Sequence, residues 1–283
     1  MLAILGGLVA ALMWGTATVS SSRASRTVGA TSTVAGVMLV GFVVALPIAA
    51  FAGVPRNLGL GDIAWLAVSG TGNVIGLLLE YRGLRIGKVG VVAAIASTEG
   101  ALTAVLAIVF GEHVTRGTAV LLAVIAVGVV LASIAPDDGE RVGERRIGLA
   151  ALFGLGAAVA FAISLYATAR VGKVVSVPWI LVAARIVGVV AIAVPAAVRG
   201  RLRFERSVLP LVTLSGLCEL GGFAAFTFGS RHGIAVTAVL ASQFAALSAI
   251  AAYLLFHERL APVQLLGVAT IVVGVAVLAG VRA

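Results

Sequence analysis

Apolar stretches of about 20 residues, the length a bilayer core asks of one helix, alternate along the chain with short segments carrying charge, proline or glycine. Ten such spans are predicted, at 2–19, 33–53, 63–84, 89–110 and 117–135, then at 147–169, 177–198, 208–229, 234–256 and 262–281. The longest connector, PDDGERVGERR at 136–146, leaves no room for a separate soluble domain. The expected class is therefore an all-α integral membrane protein with ten transmembrane helices.

Composition sharpens this. Of 283 residues, 61% are hydrophobic and 11% charged, and the mean hydropathy is +1.18, against about 45–50% apolar and about 25% charged in ordinary soluble domains. These values exclude a soluble enzyme core, a disordered chain and a collagen, and a lone Cys218 excludes an internal disulfide framework. The first span is followed by TATVSSS, small residues of the kind a signal peptidase accepts. No Lys or Arg precedes the apolar run, and the repeat described next needs the segment, so it is read as a resident helix.

Sliding the chain along itself by 145 to 148 residues produces matches through five spans of each half. LGGLVAALMWG pairs with LFGLGAAVAFA, Pro47 meets Pro195, Ser69-Gly70 meets Ser215-Gly216, and Gly76 meets Gly222. IASTEGALTAV lies over LASQFAALSAI; after one inserted residue FGEHVT meets FHERLA, which puts Glu112 on Glu258, and Gly128 meets Gly274. Five helices per half is an odd number, so the second copy enters the membrane from the opposite face. Inverted-topology repeats of this kind are a recurrent plan of secondary transporters. The expected organisation is a first unit at 1–135, a charged connector at 136–146 and a second unit at 147–283, around a central cavity.

At these residues the chain resembles the EamA-like family of the drug/metabolite transporter superfamily over essentially its whole length. The features that carry the likeness are ten spans in a five-plus-five repeat, Trp14-Gly15 late in the first span, and a GExxT-like junction after spans 4 and 9. The second half departs from the pattern: Phe161-Ala162 stands for Trp-Gly, and His257 precedes Glu258. The resemblance implies a basket of ten helices around a central cavity and export of small metabolites or drugs from an inner, or plasma, membrane. It leaves the cargo open among amino acids, sugars, nucleotides and drugs.

The formal net charge is +9, carried by basic residues in short loops rather than in a stripe or arm, which reads as topogenic charge and not as a nucleic-acid surface. Thirteen Lys and Arg fall on one side of the alternating loops, among them Arg82, Arg85, Arg199, Arg201 and Arg203, and six on the other. If the richer side faces the cytoplasm, both termini lie outside. The family resemblance implies that both lie inside.

A charge near the bilayer centre costs at least about 2.5–3.5 kcal/mol, so ionisable groups within spans are functional candidates. Glu99 lies near the middle of span 4, Glu219 near the middle of span 8, and Arg185 in the first half of span 7. The repeat sets Glu219 on Asn73, and Gln243 on Thr98, the neighbour of Glu99. Asn73, Glu99, Arg185, Glu219 and Gln243, with Trp14, are the candidate substrate-binding residues; the alternative is that Arg185 and one Glu form a structural ion pair. A carboxyl removed from water holds a proton more readily, and a nearby guanidinium opposes this. Glu99 and Glu219 are thus the candidates for proton coupling, the better one being whichever lies farther from Arg185. In the four-helix multidrug relatives the coupling acid is in the first helix, whereas spans 1 and 6 here hold no Asp or Glu.

Glu112 and Glu258 precede spans 5 and 10, where a carboxylate can satisfy free helix amides or form a gating pair with Arg116 or Arg259. Gly72 and Gly76, matched by Cys218 and Gly222, make small-xxx-small packing faces. Pro47 and Pro195 are expected to kink spans 2 and 7. Trp179, Tyr81 and Tyr166 fall near span ends, where interfacial aromatics belong.

His257-Glu258 begins a zinc-protease-like pattern, but Ala261 stands where the second His is needed. Gly154-Leu155-Gly156 lacks the third glycine of a dinucleotide fingerprint, and there is no Walker A sequence. No cofactor or metal is expected; the expected partners are a small-molecule substrate, membrane lipid and, for coupling, protons. The leading reading is a secondary carrier. Its competitors are an intramembrane enzyme acting on a lipid-linked substrate, a channel, which would need a continuous polar pore, and an assembly protein, which leaves the mid-membrane charges unexplained.

Overall fold

The computed structural model describes residues 1–55, 58–87, 89–133 and 144–248, and positions 262–263, 266–267, 269–270, 273–274 and 277–278 of the last segment. Among these residues the chain is helical and contains no strand. Seven helices are long and apolar enough to cross a membrane, and two shorter apolar helices, Arg116–Leu131 and Ile234–Ser248, accompany them. The chain is thus a multi-pass membrane protein. The connector at 136–143, Glu258 with its neighbours His257 and Arg259, and most of the tenth predicted span lie outside the described residues.

Helix α1 (Leu2–Val28) runs nine residues beyond the expected end at 19. Its polar tail stays helical because the hydroxyls bond back to carbonyls one turn earlier: Ser21 to Thr18, Ser22 to Val19, Ser25 to Ser22 and Thr27 to Arg23. The chain then reverses into α2 (Ala30–Phe51) through Gly29, whose φ of 86° suits a residue without a Cβ. Pro47 sits within α2, which continues through it. Helix α3 (Leu60–Ile86) opens with Asp62 accepting the Gly59 amide at 3.0 Å.

The fourth span, expected to be continuous, is two helices, α4 (Val89–Ala96) and α5 (Glu99–Val109). Its break falls at Ser97-Thr98, whose hydroxyls donate to the carbonyls of Ala94 and Ile95 at 2.8 and 2.7 Å. Next come α6 (Arg116–Ser133), α7 (Glu144–Val171) and α8 (Val177–Gly188). A π-helical turn, Val189–Ala193, separates α8 from α9 (Val194–Val198). Pro195 lacks the N–H that the Ala191 carbonyl would accept one turn back, and the widened turn accommodates that loss. Helices α10 (Leu209–Ser230) and α11 (Ile234–Ala241) follow. A turn at Ser242-Gln243 interrupts the ninth span before it becomes helical again over 244–248, and Ser242 donates to the Val239 carbonyl at 2.8 Å.

Four helix pairs dominate the packing: α1 with α10, α3 with α7, α2 with α8, and α5 with α11. Glycines bring them together. A Cβ on Gly6 would lie 2.6 Å from the Gly229 Cα, one on Gly72 would lie 2.8 Å from the Ala160 carbonyl, and one on Gly100 would lie 2.5 Å from both the Ala238 carbonyl and the Ser242 Cβ. Large apolar side chains such as Val43, Phe51, Val105, Leu152 and Val198 face outward, as lipid-facing positions require. At one end, a surface depression of about 460 Å³ is bordered by Arg82, Arg85, Arg199, Arg201 and Arg203 beside the α1–α2 turn. These arginines therefore share an end, as the alternating loop count assigns them.

Candidate functional site

The polar residues converge at the centre. Trp14, Ala17 and Thr18 project from one face of α1, and Asn73, Leu77, Glu80 and Tyr81 recur at helical spacing on α3. They border a small internal cavity with Glu99, Phe161, Leu165, Glu219 and Phe244. Glu99 enters as the first residue of α5, directly after the Ser97-Thr98 break, so the break sets its carboxyl against the cavity. The cavity measures about 30 Å³, room for about two or three waters on the scale of about 10–15 Å³ each.

Three carboxyls share this space. Glu219, on α10, accepts a hydrogen bond of 3.0 Å from the Asn73 Nδ2. Arg185, on α8 and 0% exposed, donates from Nη1 to the Asn73 Oδ1 at 3.1 Å, and the same nitrogen stands 3.7 Å from Glu219 Oε1. The guanidinium also reaches the Met38 Sδ at 3.6 Å and lies over the Phe223 ring, 5.6 Å from its centroid. Gly41 makes space for it: a Cβ there would sit 2.7 Å from the Arg185 Nε. Arg185 is not part of the cavity wall. It stands behind Asn73 and Glu219, and its Nε and Nη2 have no hydrogen-bond partner among the described residues.

Glu80 is 4% exposed, and its carboxyl accepts from the Thr18 hydroxyl at 3.4 Å. Glu99, also 4% exposed, has no hydrogen-bond partner for its carboxyl among the described residues. Among the described residues no group of three His, Cys, Asp or Glu is placed to hold a metal ion.

Glu80 was not singled out from sequence, because it lies four residues before the expected end of span 3; its signal was an acid inside an apolar span. Tyr81, expected at the membrane interface, is instead 1% exposed and lines the cavity, with its hydroxyl 3.5 Å from the Ser215 Oγ. Helix α3 continues to Ile86, which carries both residues inside the bundle. Trp14, Asn73, Glu99 and Glu219 border the cavity together; Gln243 is buried beside it, outside the wall, with its Nε2 unpartnered among the described residues.

Glu112 caps a different helix from the one expected. Its carboxylate accepts the Ala235 amide at 3.1 Å, at the start of α11 rather than of α6. Gly76 and Gly222 provide seats for aromatic rings: a Cβ on Gly76 would collide with the Phe161 ring, and one on Gly222 would lie 2.5 Å from the Trp14 Nε1.

A solved crystal structure shares this fold, with a TM-score of 0.75 at 19% identity over 97% of this chain and 95% of that one. No curated protein matches the chain. The model of the EamA-like transporter family matches residues 1–134, the part of the chain that supplies Trp14, Asn73, Glu80 and Glu99 to the cavity. Over those residues the chain is similar to the EamA-like transporter family, within the drug/metabolite transporter superfamily.

Proposed function

We propose that the protein is a secondary carrier of the inner, or plasma, membrane that exports small metabolites, amino acids or related compounds among them, or drugs. It works by alternating access between two inverted five-helix units, 1–135 and 147–283, ten spans in all. Asn73, Glu99 and Glu219 bind the cargo beside Trp14. Arg185 and Gln243 support them from behind the wall, and Glu99 or Glu219 carries a coupling proton.

One observation carries this reading: the central cavity sets Asn73 and three carboxyls in a largely apolar wall drawn from both halves of the chain, and at about 30 Å³ it is too small for a metabolite. A site of that chemistry can be filled only if the halves rearrange. The pairing of the helices agrees with a two-fold relation between them. Under the sequence repeat span 1 corresponds to span 6 and span 3 to span 8; the observed pairs are α1 with α10 and α7 with α3, each of which becomes the other when the halves are exchanged. The polar contacts join the same two positions in each half, with donor and acceptor reversed. Ser164 donates to the Ser69 carbonyl at 2.7 Å, and Ser215, the repeat partner of Ser69, donates to the carbonyl of Ala17, the partner of Ser164, at 3.3 Å. Both fourth-in-half spans break at matched residues, Ser97-Thr98 and Ser242-Gln243, and discontinuous helices are a recurrent feature of carrier binding sites.

The test compares small molecules in the medium and cytosol of cells producing the wild-type protein or the Glu99→Gln/Glu219→Gln variant, matched for membrane expression. A compound exported by the wild type and retained by the variant supports the reading. Equal export by both makes the two carboxyls structural, and no export beyond the empty vector, with a modified lipid in its place, replaces the carrier with an intramembrane enzyme.

A further inference from the structure

We infer that the cargo is a protonated amine carrying an apolar, ring-sized body, with its ammonium group taken by Glu80 and Glu99. The inference rests on the carrier reading for the word cargo, but not for the site itself. The charges in the cavity are unequal in a specific way. Of its three carboxyls, Glu219 is answered by Asn73 and, behind it, by Arg185. Glu80 has a single neutral donor, Thr18, and the buried Glu99 carboxyl has no donor among the described residues. A buried carboxylate lacking donors is costly, and an ammonium group brings three N–H donors with a compensating charge. The guanidinium cannot serve an anionic group on the cargo, because Asn73 and Glu219 stand between it and the cavity. That selects against anions and against the carboxylate end of a zwitterion.

The remaining wall suits the rest of such a molecule. Trp14, Phe161 and Phe244 with Leu77 and Leu165 present rings and aliphatic surface beside the carboxyls. Aromatic faces attract cations as well as burying apolar bodies, and the attraction grows when the site is desolvated. An anion would meet three acidic groups there, with no cation in the wall among the described residues.

The experiment uses the purified full-length protein in detergent at mildly alkaline pH and three probes with the same phenyl body: 2-phenylethylamine, phenylalanine and 3-phenylpropionate. Calorimetric titration is expected to show binding of the amine and at least about tenfold weaker binding of the other two, as expected for charge-assisted hydrogen bonds. Glu80→Gln and Glu99→Gln are each expected to weaken amine binding by about tenfold or more, with Glu80→Asp and Glu99→Asp retaining part of it; thermal unfolding checks that each variant is folded. Equal or tighter binding of phenylalanine or phenylpropionate, absence of amine binding, or unchanged amine affinity in both Gln variants overturns the inference. Proteoliposomes then separate the two claims. Amine binding without amine flux removes the carrier reading and leaves the amine site standing, whereas flux of the zwitterion or anion alone keeps the carrier and removes the amine.

Discussion

Asn73 and Glu219 stand 146 positions apart and share a hydrogen bond of 3.0 Å, although the sequence repeat aligns each with the other. Residues that occupy the same place in two halves can touch only where the halves meet. The polar centre is thus built where α3 and α10 meet, and Arg185 on α8, reaching Asn73 at 3.1 Å and Glu219 at 3.7 Å, locks that contact from behind.

Removing that lock should be expensive. Arg185→Met leaves Glu219 buried with its counter-charge gone, and breaking a buried pair from one side costs about 3–5 kcal/mol. Replacing both members, Arg185→Met with Glu219→Gln, removes the uncompensated charge and should recover more than half of the loss. Unfolding of the four proteins of this cycle in detergent measures it; a double variant no more stable than Arg185→Met would mean that the two groups are not coupled.

The aromatic seats make a paired prediction. Gly76→Ala drives a methyl group into the Phe161 ring, and Gly222→Ala drives one into the Trp14 indole; each should cost about 1–3 kcal/mol as overpacking. Trimming the ring, Phe161→Leu for the first and Trp14→Leu for the second, should restore stability in its own pair and not in the other. Melting temperatures of the single, matched and crossed variants decide the matter, and equal rescue by the crossed partner would show that the collisions do not set the cost.

A third prediction concerns Glu112. Its carboxylate satisfies the Ala235 amide in the first turn of α11, so Glu112→Ala should cost about 1 kcal/mol, the usual loss of an N-terminal cap. Glu112→Gln keeps an acceptor and loses only the charge near the helix dipole, about 0.3–1 kcal/mol. Denaturation midpoints should rank wild type, Gln and Ala in that order. Indifference to both changes would mean that the contact contributes nothing.

How far the sequence reached depends on what each signal measures. Hydropathy registers the absence of water around a segment, which is why it located the spans of α1, α2 and α3 and the acids Glu99 and Glu219. It does not register hydrogen bonds, and so it missed the breaks at Ser97-Thr98 and Ser242-Gln243, where hydroxyls capture carbonyls within an apolar run. It also ended span 3 at 84, which left Tyr81 looking interfacial and Glu80 unremarked, when α3 runs on to Ile86 and buries both. Self-alignment found Gly76 and Gly222 as equivalent small residues. That they face Phe161 and Trp14 is a matter of which helix packs on which, as is the capping of α11 by Glu112, and neither follows from local pattern.

Orientation offers the last prediction. The α1–α2 turn lies beside Arg82, Arg85, Arg199, Arg201 and Arg203, and the far ends of α1 and α2 lie at the opposite side of the bundle. Retention of Lys and Arg in the cytoplasm then sets Thr31 inside and Ala52 outside. The chain's single cysteine, Cys218, is buried, so cysteines introduced at the exposed positions Thr31 and Ala52 can be read against a quiet background. In intact cells a membrane-impermeant maleimide should label Ala52→Cys and spare Thr31→Cys, with both labelled after permeabilisation. The reverse pattern would place the N-terminus in the cytoplasm, as the family resemblance implies, and would mean that the arginines around the depression were kept on the outer face against the loop-charge bias and need a reason other than topology.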